Sequence, residues 1–317
     1  MKPAWTAGVT RARLLLSRCI GPELASTVAG SPSLADGLAA LAGSAYGERV
    51  RAGQDLTAAE RGVADTLLWH LRILAGWLPA AGAALVRALA GWFELVNIDA
   101  RLAALAGDGR EPAPFALGPL ATAWGAAEHA RTIEALTDAV AGSGWALPRP
   151  HSPAELAMGL RVAWGRRVAE AAPEAADWVA GAGALLAARE LLVARSSERA
   201  EQLRRYPGID DRALSSVSTL AALRDALGAR AGWALGTITE PDELWGAELA
   251  WWDRVEEDSR LLLRRSDDEG VVLAAVALLA VDAQRTARAL RSAALAAGAG
   301  PAARSDQTST ENLGGAR

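Results

Sequence analysis

One cysteine, Cys19, stands among 317 residues, which excludes an internal disulfide and a cysteine metal cluster. Such a lone thiol reads as a small buried residue of a reducing compartment. Lysine is equally scarce. Lys2 is the only one, and every other basic side chain apart from the three histidines is an arginine. Only two Phe and two Tyr occur, Val and Ile runs are short, and turn dipeptides at about 8–12-residue spacing are missing, which excludes the usual makings of a sheet protein. His70, His129 and His151 each lack an acid or a second His at ligand spacing on the same helix, so they read as structural or surface residues rather than metal ligands. No GxxxxGK(S/T) loop, no GxGxxG after a strand and no GxSxG elbow is present, so the chain is not the nucleotide-hydrolysing part of a P-loop machine. No cofactor is implied.

Long apolar runs are missing too. The longest without a charge, residues 271–281, falls short of the ~20 residues that a spanning helix needs. The apolar stretch 74–96 is interrupted by Pro79 and Arg87, and residues 14–16 are too few for the core of a signal peptide. The expectation is a soluble, cytoplasmic protein with no direct membrane span, reaching a membrane only through partners. The net charge is −4 with acids and bases interspersed, which argues against nucleic acid as a partner. What remains is rich in alanine, with twelve Trp expected to supply most of the large core volume. The fold class is all-α.

The most informative stretch is AALVRALAGWFELVNIDARLAAL, residues 83–105. Leu85, Leu89, Trp92 and Val96 recur with a period of about 3.6, continued by Leu95, Ile98, Leu102 and Leu105, which predicts a helix with a broad apolar face. Arg87, Glu94, Asn97 and Arg101 keep the same beat as one narrow polar ladder. Asn costs up to ~0.7 kcal/mol against Ala inside a helix, and its amide needs partners if buried. Glu94 and Arg101 lie within side-chain reach of it on one face. The ladder is therefore either a hydrogen-bonded device that fixes packing, the reading preferred here, or a surface that recognises another protein.

One unit recurs three times. Leu34, Gly37 and Leu41 lead to Ala-Gly-Ser-Ala-Tyr46. Ile133, Leu136 and Val140 lead to Ala-Gly-Ser-Gly-Trp145. Leu220, Leu223 and Leu227 lead, with one residue inserted, to Trp233. A helix start follows each aromatic, at Thr57-Ala-Ala-Glu60, Ser152-Pro-Ala-Glu155 and Thr239-Glu-Pro-Asp242; the first two fit a capping box. Each helix is then broken, by Pro79, by Pro173 and by Ser266-Asp-Asp-Glu-Gly270, and a long second helix follows over roughly 81–106, 174–204 and 271–297. The reading is three pseudo-equivalent helical lobes packed into one funnel-like unit: 1–108, 109–205 and 206–297, with a disordered tail at 298–317. Asp210-Asp211 and Asp267-Asp268-Glu269 lack a third carboxylate one helical turn on, so they read as solvated charges rather than a magnesium diphosphate site. The pair Trp251-Trp252 reads as core rather than as an exposed docking pair.

The run Phe93-Glu-Leu-Val-Asn-Ile98 resembles the aromatic-(Asp/Glu)-x-x-Asn-(Ile/Leu) segment of the V-type ATP synthase C-subunit family, whose eukaryotic member is the d-subunit of the vacuolar ATPase. The resemblance runs over roughly residues 8–297. Thr10-Arg-Ala-Arg13 is similar to an early segment of that family, the stretch from Leu41 to Gly47 to its L-x-x-T-x-Y-G, and Glu60 to the acid that opens its next helix. Arg285-Thr-Ala-Arg288 stands where the family has a related R-N-L-R, with Thr286 in place of Asn. The middle lobe offers only Arg189-Glu-Leu-Leu-Val-Ala-Arg195, and most of the family's tyrosines are Trp or missing. The resemblance implies a non-catalytic connector of a rotary ATPase. Its partners would be the central-stalk shaft and the membrane proteolipid ring, and it would sit peripherally at the membrane through that rotor and transmit torque. Two other classes fit less well. A free helical-repeat adaptor that binds peptides expects repeats of about 34–47 residues, and a helical lyase or synthase lacks its carboxylate cluster.

Overall fold

The computed structural model describes residues 2–107, 111–209, 214, 217–236 and 238–298. The expected tail and the pair Asp210-Asp211 lie outside these residues, apart from Gly298. Every regular element among the described residues is helical, so the fold is all-α. In chain order the α-helices are α1 (Thr6–Leu16), α2 (Gly21–Ala29), α3 (Leu34–Leu41), α4 (Leu56–Gly76), α5 (Ala80–Leu105), α6 (Trp124–Ala127) and α7 (Ile133–Ala141). They continue with α8 (Pro153–Ala171), α9 (Ala176–Ala188), α10 (Ser197–Leu203), α11 (Leu220–Gly232), α12 (Leu244–Arg265) and α13 (Asp268–Gly298).

The punctuation follows local chemistry. Pro79 immediately precedes α5, and Pro173 ends α8 and opens the turn before α9, because a proline lacks the N–H that a helix interior needs. At α8 the Ser152 hydroxyl accepts the Glu155 N–H at 3.1 Å, and the Glu155 carboxylate takes the His151 N–H at 2.7 Å, with Pro153 in the first position. Two expected caps are placed differently. At α4 it is Asp55, not Thr57, that accepts an amide, from Ala58 at 2.7 Å, since a carboxylate three residues ahead of that N–H is already in register. Before α12 the Glu243 carboxylate takes the N–H groups of Thr239 and Glu240, which hold its pKa below the ordinary carboxylate value. The three helices α3, α7 and α11 share a cap of their own. Ser33, Thr132 and Thr219 each accept the N–H three residues on.

The middle long helix is shorter than the expected span 174–204. After α9 the backbone widens into a π-turn over Arg189–Val193, Arg195 takes a positive φ, and Ser196 caps α10. The hydroxyl at 196 offers the backbone an alternative to a continuing helix, and the chain takes it.

The chain divides into two compact units, one of residues 1–12 with 71–277 and the other of residues 13–70 with 278–317. These boundaries differ from the lobe boundaries expected near 108 and 205. The second unit explains the difference by its core. Val28, Leu38, Leu41, Tyr46, Val50 and Val63 from the early helices are closed over by Ala283, Ala289 and Leu290 of the last one. Each fully buried leucine there is worth roughly 1.5–3 kcal/mol. In the first unit α5 packs on α8, and α9 packs on both α11 and α12. By length and composition α5 and α13 could cross a membrane, but most of each lies buried within the protein, as in core helices. The tryptophans are less uniformly buried than expected. Trp5, Trp124, Trp145 and Trp178 are core residues, whereas Trp69, Trp77, Trp92 and Trp245 are exposed.

Candidate functional site

All four ladder residues of α5 reach across to the segment 111–130 that follows the helix, and no bond joins one to another. Arg87 donates from Nε and Nη2 to the Pro119 carbonyl at 3.2 and 3.1 Å. Asn97 is buried and satisfied at both ends: its Nδ2 donates to the Phe115 carbonyl at 3.0 Å, and its Oδ1 accepts the Phe115 N–H at 2.7 Å. Arg101 donates to the Ala130 carbonyl and from Nη1 to Glu111 at 2.6 Å. The polar beat thus fixes one piece of irregular chain against one helix face, which satisfies backbone groups that burial would otherwise strand.

Glu94 is the centre of this arrangement. It is buried, and its Oε1 accepts three successive backbone N–H groups, from Thr122 at 2.8 Å and from Ala123 and Trp124 at 2.6 Å. Its Oε2 accepts the indole N–H of Trp145 at 3.1 Å. These amides open α6, whose own cap position is Ala123 and offers no side-chain acceptor. A helix start carries orphan N–H groups and a partial positive charge, so a carboxylate lent by another helix does what a local Ser or Asp would do. Arg167 completes the surroundings. Its guanidinium lies over the Trp145 ring at 4.6 Å and donates to the Thr122 hydroxyl at 3.2 Å. Burial lowers its pKa, an effect that nearby Glu94 opposes.

The second unit contains the same device in different residues. Asp282 of α13 is buried and accepts the N–H groups of Ile20 and Gly21, at 3.1 and 3.0 Å. These open α2, where Ile20 supplies no side-chain cap. The Tyr46 hydroxyl donates to the same carboxylate at 2.9 Å. Burial first, and then the Asp282 charge, push the Tyr46 pKa well above its ordinary value. Tyr46 and Trp145 are the aromatics that the repeat pairs, and their turns match. Ser44 donates to the Leu41 carbonyl and accepts the Tyr46 N–H, as Ser143 does with Val140 and Trp145.

Glycine–indole contacts fix the register of α9 against α5. A Cβ added at Gly91 of α5 would stand 2.9 Å from Trp164 and 3.2 Å from Trp145; one added at Gly181 of α9 would stand 3.0 Å from Trp251 and 2.7 Å from Trp233. Trp164 donates its indole N–H to the Ala88 carbonyl at 3.0 Å, and Trp251 donates to the Trp178 carbonyl at 2.9 Å. In both cases the acceptor lies three residues before the glycine. Counting three residues forward instead gives Glu94 on α5 and Ala184 on α9. The middle long helix therefore has no acid at this position. Glu190, in the run 189–195 that the middle lobe offers in place of the signature, sits in the π-turn and pairs with Arg199 at 3.3 Å.

Elsewhere the chemistry-bearing residues stand apart. His70 is buried against Trp69, His129 is exposed beside Glu128, and the His151 backbone caps α8. Asp268 is buried, not solvated as expected, because its carboxylate receives the Lys2 backbone N–H at 2.9 Å. Among the described residues no group of three or more His, Cys, Asp or Glu converges at metal-binding distance. An open depression of about 420 Å³ is lined by Gly47, Glu48, Arg49 and Arg51. In comparisons with known proteins, no family model and no curated sequence matches the chain.

Proposed function

We propose that this chain is a non-catalytic connector of a V-type rotary ATPase, joining the central shaft to the membrane proteolipid ring and transmitting torque between them. The observation that carries the reading is the carboxylate cap lent from one segment to another. α5, the long helix read as ending the first lobe, caps α6 in the stretch read as opening the second. α13, the last helix of the chain, caps α2 near its beginning. Each cap braces stretches far apart in the chain through a buried carboxylate, which suits a part that must transmit force without deforming. Glu94 and Asn97, which carry the resemblance to the connector family, are also the residues that anchor the segment opening the second lobe. A torque-bearing connector needs such bracing more than it needs a reactive side chain.

The test is co-expression with the shaft and proteolipid components of a V-type ATPase from the same genome. The chain should co-purify with the shaft as a defined complex, and ATP-driven ion movement should be lost when it is omitted. A chain that stays monomeric beside a properly assembled shaft and ring overturns the proposal, and binding to free peptides instead would favour the adaptor.

A further inference from the structure

α12 turns most of its surface away from the core. Only Ala247, Val255 and Ser259 of its 22 residues are fully buried. Beside that core stripe runs a second one, Trp245, Leu249, Trp252 and Glu256, at spacings of four, three and four residues, which one helix face shares. Trp245 is 69% exposed, the most of any exposed tryptophan here, while Leu249 and Trp252 are half-buried. Trp252 is held in place, because it packs edge-to-face with Trp251, ring centroids 4.8 Å apart, and Trp251 is tied to the Trp178 carbonyl. Trp252 is therefore a pre-organised anchor within the stripe, since little of its side-chain freedom remains to be lost on binding.

The charge around it is mostly acidic, although Arg260 of the same helix pairs with Glu256 at 2.6 Å. Residues 240–258 contain eight acids and one base, Arg254, an excess of seven acids. The whole chain has an excess of four, so the remainder is net basic by three. Arg254 is already engaged, paired with Asp258 at 2.8 Å and lying over the Trp233 ring at 5.5 Å. Asp242 and Asp253 flank the stripe, both exposed, and neither is in an ion pair among the described residues.

We infer that this face of α12 docks a basic amphipathic helix of another polypeptide. Apolar side chains spaced one turn apart would fill the Trp245–Leu249–Trp252 stripe, and Lys or Arg would meet Asp242 and Asp253. The local charge repels an anionic membrane surface and nucleic acid alike. The chain's own terminal segment 299–317 does not fit: it balances two Arg against one Asp and one Glu, and Leu313 is its only large apolar residue. The inference stands apart from the rotor proposal, and either can fail without the other.

The probe is a fluorescein-labelled 18-residue helix of Leu, Trp and Lys with its apolar residues at helical spacing, titrated against the full chain by anisotropy. Its counterpart with Glu for Lys and vesicles of phosphatidylcholine and phosphatidylglycerol serve as competitors. The Lys helix should bind, the Glu helix should not, and Trp245→Ser should weaken binding at least tenfold with an unchanged melting curve, because Trp245 is mostly exposed. Asp242→Asn with Asp253→Asn should weaken binding and flatten its salt dependence. Failure of the Lys helix to bind overturns the inference, as does equal affinity for Trp245→Ser. Vesicle binding that depends on Trp245 would assign the face to lipid. A dimer lost in Trp245→Ser would assign it to a second copy. Either result also overturns the proposed occupant.

Discussion

Glu94 and Asp282 cap helices they do not belong to, yet they are built differently. Glu94 reaches segment 111–130 with the longer side chain, gathers three amides on one oxygen and takes an indole N–H on the other. Asp282 takes two amides and a phenol hydroxyl. The first set of donors cannot lose a proton in any accessible pH range, while the second contains one that can. On α9 the same position is Ala184, beside a tryptophan pair that is otherwise preserved. Between α5 and α9 the glycine–indole packing is shared, and the carboxylate is not. This follows from the energetics: packed indole area contributes wherever it is buried, but a buried acid stabilises only where a full set of donors meets it.

Removing the acids should separate the two sites most sharply. Glu94→Ala strands four buried donors, each costing about 1–3 kcal/mol, so a loss of about 4 kcal/mol or more is expected in urea unfolding. Asp282→Ala strands three and should cost less, about 3 kcal/mol on the same scale. Equal and small losses would mean that water replaces both carboxylates. Asn97→Leu comes next. It removes both hydrogen bonds to the Phe115 backbone, for about 1–3 kcal/mol. If Asn97 instead serves a partner, this variant would melt normally and lose shaft binding.

The glycines test whether Gly91 and Gly181 occupy equivalent places. Gly91→Ala and Gly181→Ala each press a methyl group onto two indoles at about 3 Å. Overpacking of that kind costs about 1–3 kcal/mol, and the two losses should be similar. A harmless Gly181→Ala would break the alignment that assigns Ala184 to the position of Glu94.

Much of this was legible in the sequence, unevenly. The all-α class, the breaks at Pro79 and Pro173 and the paired aromatics Tyr46 and Trp145 follow from local chemistry, because proline and helical periodicity act within a few residues. The polar ladder on α5 was visible as a pattern, but its partners were not. Asn97 and Glu94 bond backbone groups, and a backbone group carries no sequence signature. The Asp282 site was missed for the same reason: it meets residues 20, 21 and 46 from more than 230 positions away. A clue did exist, in that Ile20 and Ala123 are poor caps and a helix starting at either needs an acceptor from elsewhere. Glu190 lies in a run with the right composition for the signature, while the register of α9 is set by glycine–indole contacts that only the fold displays.

The smallest effect distinguishes the two caps by pH. Tyr46→Phe should cost about 1–2 kcal/mol at neutral pH by removing one hydrogen bond to a carboxylate. Burial and Asp282 raise the folded pKa of Tyr46 above its ordinary value, which lies near 10 in the unfolded chain. Below about pH 10 both states hold the proton, so the stabilisation is present in full. Above it the unfolded chain releases a proton that the folded chain keeps, and stability falls by about 1.4 kcal/mol per pH unit. Tyr206, also raised by burial, adds the same trend in wild type and variant alike. The gap between wild type and Tyr46→Phe should therefore shrink above about pH 10 and close near pH 11 on that slope. Trp145→Phe, whose lost donor does not titrate, should keep a constant gap across the same range. Parallel pH curves for both variants in urea unfolding would show that the Tyr46 hydroxyl is not held by Asp282 in solution.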